Sequence, residues 1–183
     1  TKINQKEINA INENFNVEEI ISFKGIKQGI ENTNYLLKSK KKKYILTIFE
    51  KRVLPEEIPF FMKLMDNLNN SKINCPKPLK TKDNKYLIKL KNKTACIVSF
   101  IEGKDKKILN VNECYAIGKT MARMHMVTKK LKLKRKNSMG IRNLKPLLES
   151  IKFKSKKFSN LKIFLKNNLR DINKNWPKKL PKG

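Results

Sequence analysis

The chain has 183 residues, enough for one domain or two small lobes with a real core. A formal net charge of +29 would suit a nucleic-acid partner, yet 39% of the residues are hydrophobic and nearly all the positive charge is lysine rather than base-reading arginine. Runs such as "KSKKKK" (38–43) and "KKLKLKRK" (129–136) fall where turns and surface loops are expected, so the excess reads as solvated surface rather than a nucleic-acid site.

Residues 5–15 place Ile8, Ile11 and Phe15 at helical spacing. Residues 18–26 form a strand entering a turn framed by Gly25 and Gly29, and 32–39 a second strand. The lysine run 38–43 is a solvated hairpin turn. Residues 43–52, "KYILTIFEKR", are the clearest strand, dominated by β-branched and aromatic residues. Pro55 then opens a helix with Glu56 and Glu57 in its first turn, where acids suit the positive end of the dipole. Ile58, Phe61, Met62, Met65 and Leu68 give this helix one apolar face, and Pro59 is tolerated because it still falls in the first turn. "CPKP" (75–78) breaks the chain, residues 86–90 and 94–101 are two more strands, and 102–104 is a turn.

Asn110 caps the next helix, with Glu113 in capping-box position, and Ile117, Met121, Met124 and His125 continue its inner face. A basic loop (129–140) leads to helices over 144–153 and 158–176, the last anchored by Trp176. The chain closes on the proline-punctuated "PKKLPKG". Cys75, Cys96 and Cys114 are far apart, no CxxC occurs and His125 is the only histidine, which argues against zinc. An odd cysteine count with no signal peptide points to the cytoplasm, and no apolar run approaches the roughly 20 residues of a membrane span.

The expected fold is therefore α+β. Five antiparallel strands and one helix make a small lobe over 1–103, and the first helices of a helical lobe follow over 104–183. This order matches the amino-terminal lobe of protein-kinase-like phosphotransferases, whose first hairpin turn covers the nucleotide phosphates. Glycine there allows positive φ and close approach, but Gly25 and Gly29 lack the GxGxxG spacing and serve a plain turn equally well. The third strand should carry a phosphate-pairing lysine held by a glutamate on the following helix. Thr47 stands in its place. Lys51, further along the same strand face, is either a phosphate cation or a strand-end lysine in water, and Glu57 is the candidate pairing carboxylate. Ser99, Phe100 and Ile101 lie where a hinge backbone would meet the adenine edge, though an ordinary core strand would look the same. His125 reads as a packed, hydrogen-bonded residue rather than a catalyst.

Seven stretches, "KGIKQGIENTNYLL", "KYILTIFEKR", "IPFFMKLMDNL", "CPKPL", "IVSFIEGK", "IGKTMARMHMVT" and "WPKKLPKG", together resemble the bacterial homoserine kinases of the aminoglycoside-phosphotransferase-like (choline-kinase-like) type. The resemblance runs in order over essentially the whole chain. It implies ATP-dependent phosphorylation of the L-homoserine hydroxyl, with magnesium, on the path to threonine. It adds Asn32 and Asn34 to the nucleotide-side residues, and the threonine at position 47 looks typical of the family. Choline, aminoglycosides or a methylthio-sugar are the alternative substrates within the same superfamily. The family's HxDxxxxN loop, which supplies the base-like Asp and a metal-binding Asn, is absent from the sequence. The expectation is an amino-terminal fragment, with catalytic and metal residues lying after Gly183, inactive alone and exposing apolar helix faces.

Overall fold

Asn4 starts the first helix, α1 (Gln5–Asn14), with a capping box. The Lys6 N–H donates to Asn4 Oδ1 at 3.0 Å, and the Asn4 N–H donates to Glu7 Oε2 at 2.8 Å. The computed structural model describes residues 1–27, 31–50, 53–137, 140–151 and 158–177. Ile8 and Ile11 of α1, with Phe15 just after it, are fully buried, as their spacing predicts.

They cover one face of a five-stranded antiparallel sheet. Its strands are β1 (Ser22–Ile26), β2 (Asn32–Lys38), β3 (Lys43–Phe49), β4 (Leu87–Leu90) and β5 (Lys93–Ser99), in the order β1-β2-β3-β5-β4. Because cross-strand partners share a face, register places Tyr35, Leu46 and Ile97 in one row and Ile48 and Ala95 in another. These side chains and α1 form the main core. The strand expected over 18–26 is shorter: it runs from Ser22, with the Ile21 N–H just before it bonded to the Lys38 carbonyl at 2.9 Å. Before it, the Ile20 N–H bonds to the Asn12 side chain at 2.9 Å.

The opposite face receives α2 (Ile58–Asn70). The chain enters it through a 3-10 turn, Pro55–Glu57, rather than directly as an α-helix. The reason is local: Pro59 has no N–H to reach back four residues, so the first turn closes on three-residue bonds, Glu57 N–H to the Leu54 carbonyl among them. Ile58 and Met62 pack on Cys96, with Phe61 and Met65 partly buried beside them. The Tyr86 hydroxyl donates to Asp66 Oδ2 at 2.8 Å, tying α2 to the approach of β4.

The chain forms two compact units, Thr1–Lys134 and Arg135–Gly183. The first includes α3 (Val111–Thr128), which starts with the expected capping box of Asn110 and Glu113. The inner face expected on α3 is open: Ile117 and Met121 are nearly half exposed and His125 is exposed, so the histidine is not the packed residue its apolar neighbours suggested. Nothing on α3 is fully buried. The second unit holds α4 (Ile141–Ser150) and α5 (Ser159–Asn175). Pro146 sits inside α4, where it removes the N–H that would bond the Arg142 carbonyl. Leu148 is buried, but Ile163 and Phe164 of α5 are exposed, and Trp176 is 45% exposed. The packing anchor expected there is absent, because Trp176 leaves the helix end in extended backbone. No described helix is long and apolar enough to cross a membrane.

Candidate functional site

The sheet face that carries α2 is built from two rows. Leu36, Ile45 and Val98 stand side by side, and so do Asn34, Thr47 and Cys96. α2 closes over the Cys96 end, while Leu36, Ile45, Val98, Asn34 and Thr47 stay half-buried. The result is a flat apolar strip one row away from a polar pair. Burial pushes the Cys96 thiol up to about 12, which makes it a packing group and not a nucleophile.

Thr47, in the third-strand lysine position, donates its hydroxyl proton to Asn34 Oδ1 at 2.8 Å. Asn32, two residues earlier on the same face of β2, accepts the Glu50 N–H at 3.4 Å through Oδ1 and so extends the β2–β3 pairing past Phe49. Gly25 does not behave as expected. It lies within β1 opposite Tyr35, and its φ is outside the left-handed region. A Cβ there would meet the Tyr35 ring at 3.6 Å, an ordinary contact, on the face away from Asn34 and Thr47. Neither positive φ nor close approach on the Thr47 face calls for glycine at this position. Gly29 and Lys51 lie outside the described residues. Glu57 ends the 3-10 turn, half-buried at the start of α2.

The segment expected as a hinge is tied down by backbone hydrogen bonds. The Ser99 N–H donates to the Lys77 carbonyl at 2.8 Å, and the Lys77 N–H donates back to Ser99 Oγ at 2.8 Å. The Leu79 N–H donates to the Ile97 carbonyl at 2.9 Å, and Pro78 bridges to Val98. The proline-broken segment 75–79 is thus stitched along the end of β5, past the last residue that pairs with β4. The Phe100 N–H donates to the Lys43 carbonyl at 3.2 Å. Of the three hinge N–H groups, only that of Ile101 takes no backbone partner among the described residues. Lys43 also pairs with Glu102 at 2.6 Å and lies 5.4 Å from the Phe100 ring centre.

One carboxylate escaped the sequence reasoning. Glu50, at the end of β3, is hydrogen-bonded to Lys93 Nζ, to the Thr1 amino group at 2.7 Å and to the Thr33 hydroxyl at 2.5 Å. Lys93 first, then the amino group and Thr33, hold its carboxyl far below the usual carboxylate range. No local signal could reveal a pair 43 residues apart. Among the described residues no three of His, Cys, Asp and Glu cluster closely enough to hold a metal ion.

The family model for the phosphotransferase enzyme family, APH, matches residues 22–183. A homoserine kinase of Paramagnetospirillum magneticum is 36% identical over all of this chain and 56% of its own length. One of Allorhizobium ampelinum is 34% identical over all of this chain and 57% of its own. The chain therefore spans about half the length of the curated relatives it matches. Among solved structures, the amicoumacin kinase hAmiN in complex with AMP-PNP, Ca2+ and Ami superposes with a TM-score of 0.74 at 17% identity, covering 98% of this chain and 55% of that one. Spectinomycin phosphotransferase in complex with ADP and spectinomycin gives 0.60 at 17% identity, covering 95% and 56%. The fold is that of the protein-kinase-like phosphotransferases, and the chain belongs to the APH phosphotransferase enzyme family.

Proposed function

We propose that this chain carries the nucleotide site of a homoserine kinase, an enzyme that transfers the γ-phosphoryl group of ATP to the hydroxyl of L-homoserine in the cytoplasm. The match of the whole chain to relatives bearing that name carries the reading. The hinge supports its nucleotide half. An open N–H at Ile101, three residues along the chain from Val98 of the apolar row Leu36, Ile45 and Val98, offers with that row what a purine needs: a donor for its edge and a flat apolar surface for its face. In this reading residues 1–103 are the nucleotide lobe and 104–183 begin the substrate lobe.

Phosphoryl transfer also needs carboxylates for Mg2+ and a group to orient the attacking hydroxyl. The described residues do not fit the ion, so no step is routed through it. Those groups are assigned to the part of the relatives that this chain does not span, and the chain by itself is expected to bind ATP without turnover. The test is ADP release by the chain and by a version extended to the relatives' length, against homoserine, choline and an aminoglycoside. Turnover of homoserine by the extended protein alone is expected; activity on choline but not homoserine would refute the assignment. The charge of +29 supports a competing reading, a nucleic-acid-binding module. That reading requires duplex or single-strand binding that collapses steeply with salt, and absence of binding at low salt removes it.

A further inference from the structure

The nucleotide reading leaves a chemical gap: a half-buried threonine stands where a cation would meet the phosphates. From the contact between Thr47 and Asn34 we infer that the Asn34 carboxamide is the phosphate-facing donor of this site, and that Thr47 is its positioning residue. The inference rests on the nucleotide reading above. Thr47 Oγ1 donates to Asn34 Oδ1, which assigns the acceptor end of the amide. The other end is an NH2 group with two donors, and it has no protein partner among the described residues. No described side-chain nitrogen or oxygen is buried without a partner, so this NH2 group faces solvent-accessible space.

Its location suits an anion. Asn34 pairs with Ile26, the last residue of β1, at the mouth of the turn between β1 and β2. It lies two residues along β2 from Leu36, hence about 7 Å from the apolar strip, roughly one sugar unit away from a bound base. In the observed arrangement the Thr47 hydroxyl proton occupies the amide oxygen, which leaves both NH2 protons free for a ligand. A neutral donor in this position takes over part of the work of a flexible cation without bringing an ammonium into the half-buried row beside Cys96.

The test is titration calorimetry of the chain with ATP and with adenosine, in the absence of added metal. Asn34→Asp keeps the acceptor for Thr47 but replaces the donor by a carboxylate. ATP affinity should fall by about tenfold or more, while adenosine affinity stays within about twofold. Asn34→Ala serves if the aspartate variant fails to fold, with the same split at smaller size. Thr47→Val should weaken ATP alone by a few-fold, and Thr47→Ser should restore it, which a merely structural role would not do. Unchanged ATP affinity in both Asn34 variants, or an equal loss of ATP and adenosine, overturns the assignment while leaving the nucleotide reading intact. A wild-type chain that binds neither ligand overturns both.

Discussion

Replacing Ile101 by proline removes one N–H group and leaves the rest of the hinge's polar inventory alone. The Ser99 and Phe100 donors keep their Lys77 and Lys43 carbonyls, so the stitching of β5 survives. If the Ile101 N–H binds the edge of a purine, the variant loses that bond and leaves a base acceptor without a donor. The cost is about 1–3 kcal/mol, which raises Kd by about five- to 150-fold. The base is common to adenosine, ADP and ATP, so all three should weaken by the same factor, unlike the phosphate-selective loss expected at Asn34. Ile101→Ala, which keeps the N–H, measures the contribution of the side chain. Phe100→Pro is the opposite control: it orphans the Lys43 carbonyl and should lower the urea midpoint, whereas Ile101→Pro should not. Calorimetry with adenosine decides. Equal affinities of Ile101→Pro and Ile101→Ala would sink the hinge argument, since the donor would then be contributing nothing.

Gly25→Ala should be neutral or raise stability by about 0.4–1 kcal/mol in urea unfolding, because the backbone already suits alanine and the added methyl meets Tyr35 at an ordinary distance; a loss above 1 kcal/mol would contradict this. Glu50→Gln should cost about 1 kcal/mol at pH 7, a modest figure because both partners are partly exposed. The folded carboxyl is held below its unfolded value, so its stabilisation is complete above about pH 4.3 and is lost as pH falls through the depressed value. The wild type should therefore lose more stability than Glu50→Gln between pH 5 and pH 2, each reading flagged only by its own urea midpoint, on the order of 1 kcal/mol; parallel losses would contradict the pairing. With a thiol reagent under native conditions, exposed Cys114 should react at once, while Cys96 should wait for unfolding. Early labelling of Cys96 would mean that α2 does not cover the sheet as described.

Much of the fold was legible because it rests on local signals. Ile8, Ile11 and Phe15 at helical spacing, the Asn110–Glu113 capping box and the β-branched run of β3 each declare themselves within a few residues. The inner face of α2 was legible for the same reason. The site was less so, since its geometry is cross-strand. Gly25 looked like a phosphate-loop glycine by position, but register puts its missing Cβ against Tyr35. The role of "CPKP" as a splint along β5 follows from Ser99 and Lys77, 22 residues apart. Glu50 and Lys93 meet only because β3 and β5 are neighbours in the sheet. On α3, apolar residues at helical spacing predicted burial, yet periodicity states only that a face exists, not what covers it.

Composition and site obey different pressures in this chain. Lysine accumulates where water solvates it, at the 39–42 turn and on exposed strand ends. The rows that face α2 resist it: Leu36, Ile45 and Val98 in one, Asn34, Thr47 and Cys96 in the other, all half-buried or buried. An ammonium there would be partly desolvated, and desolvation opposes charge. The net charge of +29 therefore acts at a distance, as a field that draws an anion toward the molecule and weakens with salt. On the proposed reading, the contact itself is left to the neutral Asn34 amide, whose oxygen accepts from the Thr47 hydroxyl. On that reading attraction and recognition are carried by separate residues: the lysine-rich surface supplies a long-range field, and a few uncharged side chains supply the contacts.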